Sequence, residues 1–323
     1  MSAPLLAVDG LEVRFPVGRR WGRKTWLRAV DGIGFTLRRG ETLALVGESG
    51  SGKTTAALAV ARLVAAQAGT VRLEGEDIRT LEGEALRGAR RRVQVIFQDP
   101  YSSLNPRLRA EAVVREPMDA LGHPDRAERD DRVAELFAQV GLRPEQRKLF
   151  PHQFSGGQRQ RIGIARALST NPDLVICDEA VSALDVAVQA QILNLLRRLQ
   201  EKLGLAYLFI SHDLGVVQHV SDRVAVMYMG RIVEEAARAD LFARPAHPYT
   251  RSLLDAVPSV DRARRRRAKA TVMGEPPDPT ALPPGCRFAS RCPKAADLCR
   301  RDDPAPRPVR EGHTVACHFP ADA

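Results

Sequence analysis

Residues 47 to 54 read Gly47-Glu48-Ser49-Gly50-Ser51-Gly52-Lys53-Thr54, directly after the apolar run Leu43-Ala44-Leu45-Val46 and before a helix-like stretch. Types and spacing are those of a phosphate-binding loop. Glycines let the backbone curl until successive amide N–H groups converge on phosphate, at a helix start whose dipole favours negative charge. Lys53 then supplies a positive charge for the β- and γ-phosphates of a nucleoside triphosphate, and Thr54 a hydroxyl for Mg²⁺, with Thr55 completing the nucleotide-binding set. An accidental glycine-rich turn is the alternative, and a strand before and a helix after disfavour it.

A second constellation supports the first. Asp173-Leu174-Val175-Ile176-Cys177-Asp178-Glu179 is a short apolar run ending in two acids, which reads as a buried parallel strand delivering carboxylates to its C-terminal edge. Asp178 stands where Mg²⁺ or its waters need a partner, and Glu179 where an attacking water is oriented or deprotonated. Without the loop, both would read as solvated acids at a strand end. Cys177, inside the run, reads as a small buried hydrophobe.

The segment Phe154-Ser155-Gly156-Gly157-Gln158-Arg159-Gln160-Arg161 opens the helix that carries Ile162, Ile164, Ala165 and Leu168, presenting a hydroxyl and bare amides at a positive helix end. Read locally, Ser155 is an N-cap. The segment resembles the signature of the ATP-binding-cassette (ABC) family. Other landmarks of that family stand around it in order: Gln98 in Val95-Ile96-Phe97-Gln98-Asp99, Ser182-Ala183-Leu184-Asp185, and His212 in Phe209-Ile210-Ser211-His212-Asp213. The resemblance implies that Ser155, Gly156, Gly157 and Gln158 hold the γ-phosphate of ATP bound to a second subunit. It implies that Gln98 senses Mg²⁺ and the attacking water while linking the core to a helical arm. Asp185 would belong to a loop crossing the dimer interface, and His212 would contact the γ-phosphate. Lys53, Gln98, Glu179 and His212 are thus the expected catalytic residues, and Thr54, Gln98 and Asp178 the expected Mg²⁺ partners. The family also stacks an aromatic ring on adenine. Phe15 fits, with Trp21 and Trp26 as rivals and packing in a small sheet as the plainer reading of each.

The elements that must position these residues are legible in outline. Residues 5 to 45 read as short strands in which Leu11, Val13 and Phe15 alternate with polar residues, a small antiparallel sheet beside the nucleotide core. Val133, Leu136, Phe137 and Val140 recur at helical spacing before Gly141 and mark the arm that, by resemblance, docks on membrane subunits through Asp99 to Pro106. Val188, Ile192, Leu195, Leu196, Leu199 and Leu203 mark an amphipathic helix stopped by Gly204, and Ala206 to Ile210 another buried strand. Alternating helices and strands with motifs at strand ends predict an α/β, mainly parallel sheet, which the resemblance makes an ABC-type P-loop nucleotide-binding domain.

Composition sets the bounds. The 323 residues, 27% of them charged, can bury one large core and a smaller appendage. No apolar run approaches the roughly 20 residues that cross a bilayer. Met1-Ser2-Ala3-Pro4 lacks the basic and apolar regions of a secretion signal, so a cytosolic-type protein is expected, with any pore formed by other chains. The formal charge of +10 suits nucleic acid or an anionic membrane surface. Much of it lies in Arg19, Arg20, Arg23, Lys24 and Arg28, interleaved with both tryptophans at an expected hairpin tip, and in Arg262, Arg264 to Arg267 and Lys269.

The tail carries Pro245-Ala246-His247-Pro248-Tyr249-Thr250, a proline-rich stretch from Pro276 to Pro284, and Gly285-Cys286-Arg287-Phe288-Ala289-Ser290-Arg291-Cys292-Pro293. It resembles the C-terminal extension of ATP-binding subunits of oligopeptide, dipeptide and nickel importers. One departure is Ala180, where many relatives have proline. Four of the five cysteines, Cys286, Cys292, Cys299 and Cys317, fall in this short, apolar-poor segment, where a metal crosslinking the loops would stabilise most. Four thiolates suit Zn²⁺ or a [4Fe-4S] cluster, the spacings fit neither a usual zinc ribbon nor a ferredoxin, and resemblance to some peptide-importer subunits tilts toward iron-sulfur, with free thiols holding no metal as the alternative.

The expectation is therefore an ABC ATPase domain over 1–245, with a helical subdomain near 99–168, followed by an extension over 246–323. As the resemblance implies, it would power peptide import, of oligopeptides or dipeptides with nickel as a further solute. Its partners would be two permease subunits, a second ATPase subunit and an extracytoplasmic solute-binding protein, with no nucleic acid, and its place the cytoplasmic face of the inner membrane. The rivals are a nucleic-acid-associated ABC-type ATPase and a non-enzymatic module built around the cysteines.

Overall fold

The computed structural model describes residues 3–20, 23–122, 126–257 and 277–321. Trp21 and the basic run from Arg262 to Lys269 lie outside the described residues, as do the side chains of Arg19, Arg20, Arg23 and Lys24. In chain order the elements begin β1 (Leu6–Arg20), β2 (Arg23–Leu37), β3 (Thr42–Val46), α1 (Lys53–Val60), β4 (Ala68–Leu73) and β5 (Glu76–Asp77). Then come α2 (Gly83–Arg92), β6 (Val93–Ile96), α3 (Ala110–Leu121), α4 (Arg126–Gln139), α5 (Gly156–Leu168), β7 (Leu174–Asp178), α6 (Val186–Leu203) and β8 (Ala206–Ser211). The chain continues with α7 (Leu214–Val220), β9 (Arg223–Tyr228), β10 (Arg231–Ala237), α8 (Arg238–Ala243), α9 (Pro248–Asp255), α10 (Asp297–Arg301), β11 (Arg307–Arg310) and β12 (His313–Val315). They fall into two compact units interleaved along the chain, one made of Met1–Leu6, Thr36–Thr42 and Arg72–Ile210, the other of Ala7–Phe35, Leu43–Val71 and Ser211–Ala323.

In the first unit β6, β7 and β8 pair in parallel, Ile176 opposite Val95 and Leu208. Every residue of β7 and β8 is buried, as an apolar strand covered on both faces must be. The helical arm is α3, α4 and α5 packed on one another. Val133, Leu136, Phe137 and Val140 form its buried stripe, as their spacing predicts. Gly204, at φ 67, ends α6 in the left-handed conformation expected of a glycine stop.

The second unit holds β3 in parallel with β9, and β9 antiparallel to β10. The short strands expected over 5 to 45 are instead two strands of 15 residues each. Buried Leu6 and Val8 are out of phase with buried Leu11 and Val13, and Gly10, at φ 57, takes up the odd residue so that the strand continues. Gly32, at φ 73, does the same between Val30 and Ile33.

The C-terminal segment adds two strands that its composition did not announce: β12 pairs with β10, Val315 opposite Glu234, and β11 pairs with β12. Fully buried Tyr228, Tyr249 and Phe288 meet with ring centroids 4.6 to 5.4 Å apart and tie this segment to β9 and α9. Beside them Glu234 is buried and accepts the N–H groups of Ala246 and His247 at 2.6 and 2.8 Å, with His313 Nε2 at 2.7 Å. Burial alone would raise its pKa, but the hydrogen bonds from His313, Ala246 and His247 hold it below the usual carboxylate value. Buried His247 caps α9, its Nδ1 accepting the Tyr249 N–H at 3.0 Å, so it must be neutral, and burial pushes its pKa down to about 4.

His247 makes folding pH-dependent. As pH falls from its unfolded value of 6.5 toward the folded value of about 4, the unfolded chain takes up a proton that the folded chain refuses. Stability fully present above pH 6.5 is therefore lost progressively down to about pH 4, by about 3 kcal/mol for a shift of this size. Asparagine caps helices without titrating. Urea unfolding of H247N is expected to show a flatter pH profile than wild type across that interval; parallel profiles would contradict the assignment.

Candidate nucleotide site

The second unit carries the phosphate loop, between β3 and α1. Gly47 has φ 156 and Gly52 φ 102, and a Cβ at either position would fall on a carbonyl oxygen, that of Met227 or that of Ala29. Only glycine allows this approach. Ser51 N–H donates to Glu48 O at 3.2 Å, and Gly230 N–H to Ser51 O at 2.8 Å, closing the curl. Lys53 is buried, and its Nζ donates to the carbonyl oxygens of Gly47 and Glu48, both at 2.9 Å, and to Ser51 Oγ at 3.3 Å. The ammonium is thus held at the centre of the loop, while Ser49, Gly50 and Thr54 are exposed and Thr55 is half-buried.

His212 follows β8 and is exposed. The backbone beside it is fixed, because Ser211 Oγ accepts the Asp213 N–H at 3.0 Å and the Asp213 carboxylate accepts the N–H groups of Gly215 and Val216 at the start of α7. Phe15 and Trp26 are 37% and 43% exposed, so neither is a core ring. Trp21 lies outside the described residues.

The first unit carries the acids. Asp178 ends β7 and is buried. Glu179 leaves the strand in a left-handed conformation, φ 46, a cost of order 1 kcal/mol for a residue with a side chain. Its N–H donates to Ile210 O at 3.1 Å, and its O accepts from Ser182 N–H at 3.0 Å. So directed, its carboxylate accepts a hydrogen bond from Gln98 Nε2 at 2.8 Å, which joins two residues far apart in sequence. Cys177 is buried, and burial drives its thiol pKa far above the usual value, as a structural hydrophobe requires.

In the same unit Ser155 caps α5 in a reciprocal pair: Gln158 N–H donates to its Oγ at 3.3 Å, and its own N–H donates to Gln158 Oε1 at 3.0 Å. Gly157 faces Val188 of α6, whose Cγ1 would lie 2.6 Å from a Cβ there. Asp185 caps α6 by accepting the Val188 N–H at 2.9 Å. The arm's loop is set by Asp99, which accepts the N–H groups of Tyr101 and Ser102, and the Arg159 guanidinium lies 4.0 Å from the exposed Tyr101 ring.

Glu48 is gripped by residues to which the sequence assigned no role. Tyr249 Oη accepts its N–H at 2.9 Å. Arg291 donates to both carboxylate oxygens, at 2.8 and 2.9 Å, and this pairing raises the Arg291 pKa. Both belong to motifs that stood out in the tail, one around His247-Pro248-Tyr249-Thr250 and one from Gly285 to Pro293. Behind them Arg287 bonds Asp31 and the Met229 carbonyl oxygen. Burial works to raise the Asp31 pKa, but Arg287, Arg231 and Arg28 bring it below the usual value.

Cys286, Cys292, Cys299 and Cys317 line one small cavity of about 10 Å³, together with Phe288 and His318. Cys286 N–H donates to Cys299 O at 2.8 Å. Burial, reinforced by the neighbouring thiols, pushes the Cys286 pKa up to about 11, and those of Cys292 and Cys317 also rise. Among the described residues all five cysteines are free, and no group of three or more His, Cys, Asp or Glu is set as metal ligands.

Comparison with known proteins agrees with this geometry. The ABC transporter family profile matches residues 30–182, and the oligopeptide/dipeptide transporter C-terminal region matches residues 233–299. The chain is 50% identical over 325 residues to a "Probable peptide ABC transporter ATP-binding protein" of Sinorhizobium fredii, covering 100% of this chain and 92% of that one. Its fold is similar to a dimeric ATP-binding cassette in a post-hydrolysis state with ADP and Pi, at TM-score 0.64 and 27% identity over 72% of this chain and 98% of that one. It also resembles a cassette of the cbiONQ transporter of Clostridium perfringens, at TM-score 0.65 and 24% identity over 75% and 92% of the two chains. The chain belongs to the ABC transporter family, as an ATPase subunit bearing the oligopeptide/dipeptide transporter C-terminal region.

Proposed function

We propose that this ATPase powers the import of peptides, oligopeptides or dipeptides with nickel as a further candidate solute, through permease subunits that form the pore. The carrying observation is the phosphate loop, closed on Lys53 by the Gly47 and Glu48 carbonyl oxygens. Among the described residues no helix is long and apolar enough to cross a membrane. A pore of other chains accords with this, as does a peripheral place at the cytoplasmic face of the inner membrane. Two permease chains and an extracytoplasmic solute-binding protein would complete the assembly. The nucleic-acid alternative has the net charge alone behind it.

Loop N–H groups and Lys53 bind the triphosphate. Hard oxygen donors on Thr54 and Asp178, with Gln98, suit Mg²⁺, which supplies charge neutralisation when bound. Gln98 orients Glu179 through their hydrogen bond. Glu179 takes the proton of a water whose oxygen bonds to the γ-phosphorus as the bond to the β,γ-bridging oxygen breaks, releasing ADP and inorganic phosphate. His212 steadies the γ-phosphate, and Phe15 stacks on adenine. Ser155, Gly156, Gly157 and Gln158 serve the nucleotide of a second ATPase subunit, this chain or a paralogue. Val186, beside Asp185, is 82% exposed, an apolar side chain suited to that subunit's cover. The working division is a cassette over 1–245, its arm over 99–168, and the extension over 246–323.

E179Q is expected to keep nucleotide binding, lose about a hundredfold or more of ATP turnover, and accumulate as an ATP-bound dimer in size-exclusion chromatography. Wild-type turnover by this variant would sink the assignment of the base.

The four tail thiols, which line one small cavity without being set as ligands, are proposed to take a thiophilic metal once drawn together. Four thiolates suit either a single Zn²⁺ or a [4Fe-4S] cluster. Anaerobic purification with metal and sulfide analysis decides: about one zinc, or about four irons and four sulfides, per chain is expected. A metal-free chain would refute the site.

A further inference from the structure

Glu48 is the second residue of the phosphate loop, and its N–H, its C=O and its carboxylate are all engaged. Two of these partners, Tyr249 and Arg291, come from the C-terminal region. Tyr249 is fully buried between Tyr228 and Phe288, at centroid distances of 4.6 and 5.4 Å, so the Oη that accepts the Glu48 N–H is fixed in place. The Arg291 side chain is 7% exposed, lies 5.8 Å from the Tyr228 ring centroid and 5.9 Å from that of Phe288, and meets the Glu48 carboxylate with both terminal nitrogens. Its carboxylate partner is 32% exposed.

Two consequences follow from elementary electrostatics. A loop that binds phosphate through its N–H groups must have them aimed beforehand, and fixing residue 48 removes part of that ordering cost. Glu48 also places a negative charge within the loop that must admit a triphosphate, and Arg291 neutralises it.

We infer that Arg291 and Tyr249 are positioning residues for ATP binding, through which the C-terminal region holds the phosphate loop in its binding conformation and cancels the charge of Glu48. The inference rests on the reading of this loop as the ATP site.

The test is titration of the purified full-length chain with a fluorescent ATP analogue in the presence of Mg²⁺, alongside thermal unfolding. R291M is expected to weaken binding about tenfold, the effect of one uncompensated charge near the phosphates. E48Q placed in the R291M background is expected to restore affinity to within about threefold of wild type, because it removes the charge that Arg291 neutralised. Y249F, which deletes one hydroxyl and preserves the ring, is expected to weaken binding about threefold. A packing role for Arg291 would lower the unfolding temperature but gain nothing from E48Q. Unrestored affinity in the double variant would therefore overturn the inference, as would R291M and Y249F both binding within about twofold of wild type. Wild-type protein that bound no nucleotide would overturn the proposed function and this inference with it.

Discussion

The phosphate loop is possible because two backbone segments pass where side chains would otherwise stand. The Met227 and Ala29 carbonyl oxygens occupy the positions that a Cβ on Gly47 or Gly52 would need, and both glycines hold positive φ. The loop therefore depends on β9 and β2 as much as on its own sequence, and Lys53 is locked inward by the curl that results. A side chain at either glycine would push the curl off its supports before any phosphate arrived.

Glu179 shows a comparable constraint in the other unit. Its left-handed backbone is unfavourable in isolation, and it persists because Ile210 O and Ser182 N–H fasten both sides of the peptide. The carboxylate is thereby turned onto Gln98. A strand that simply ran on past Asp178 would send the next side chain to the opposite face of the sheet.

Local pattern carried most of this into the sequence. Loop, buried strands, arm stripe and the Gly204 stop are short-range signals, and each lies where its residues placed it. The long first strands were misjudged because Gly10 and Gly32 interrupt the alternation, which on paper ends a strand and in space only shifts its phase. The grip on Glu48 was invisible for another reason. Arg291 lies 243 residues away, and pairing over that distance is fixed by the course of β9 through β12, not by any local preference.

The tail itself revises an expectation about stability. Poor in apolar residues, it reads as a segment that would gain most from a metal crosslinking its loops. Yet Phe288 and Tyr249 are fully buried against Tyr228, Arg287 is buried against Asp31, and His313 bonds buried Glu234. A few large rings and buried pairs anchor it, with Cys286 and Cys292 packed against the same cluster. Arg291 precedes Cys292 directly, so the cysteine loop and the guanidinium that holds Glu48 are neighbours along the chain.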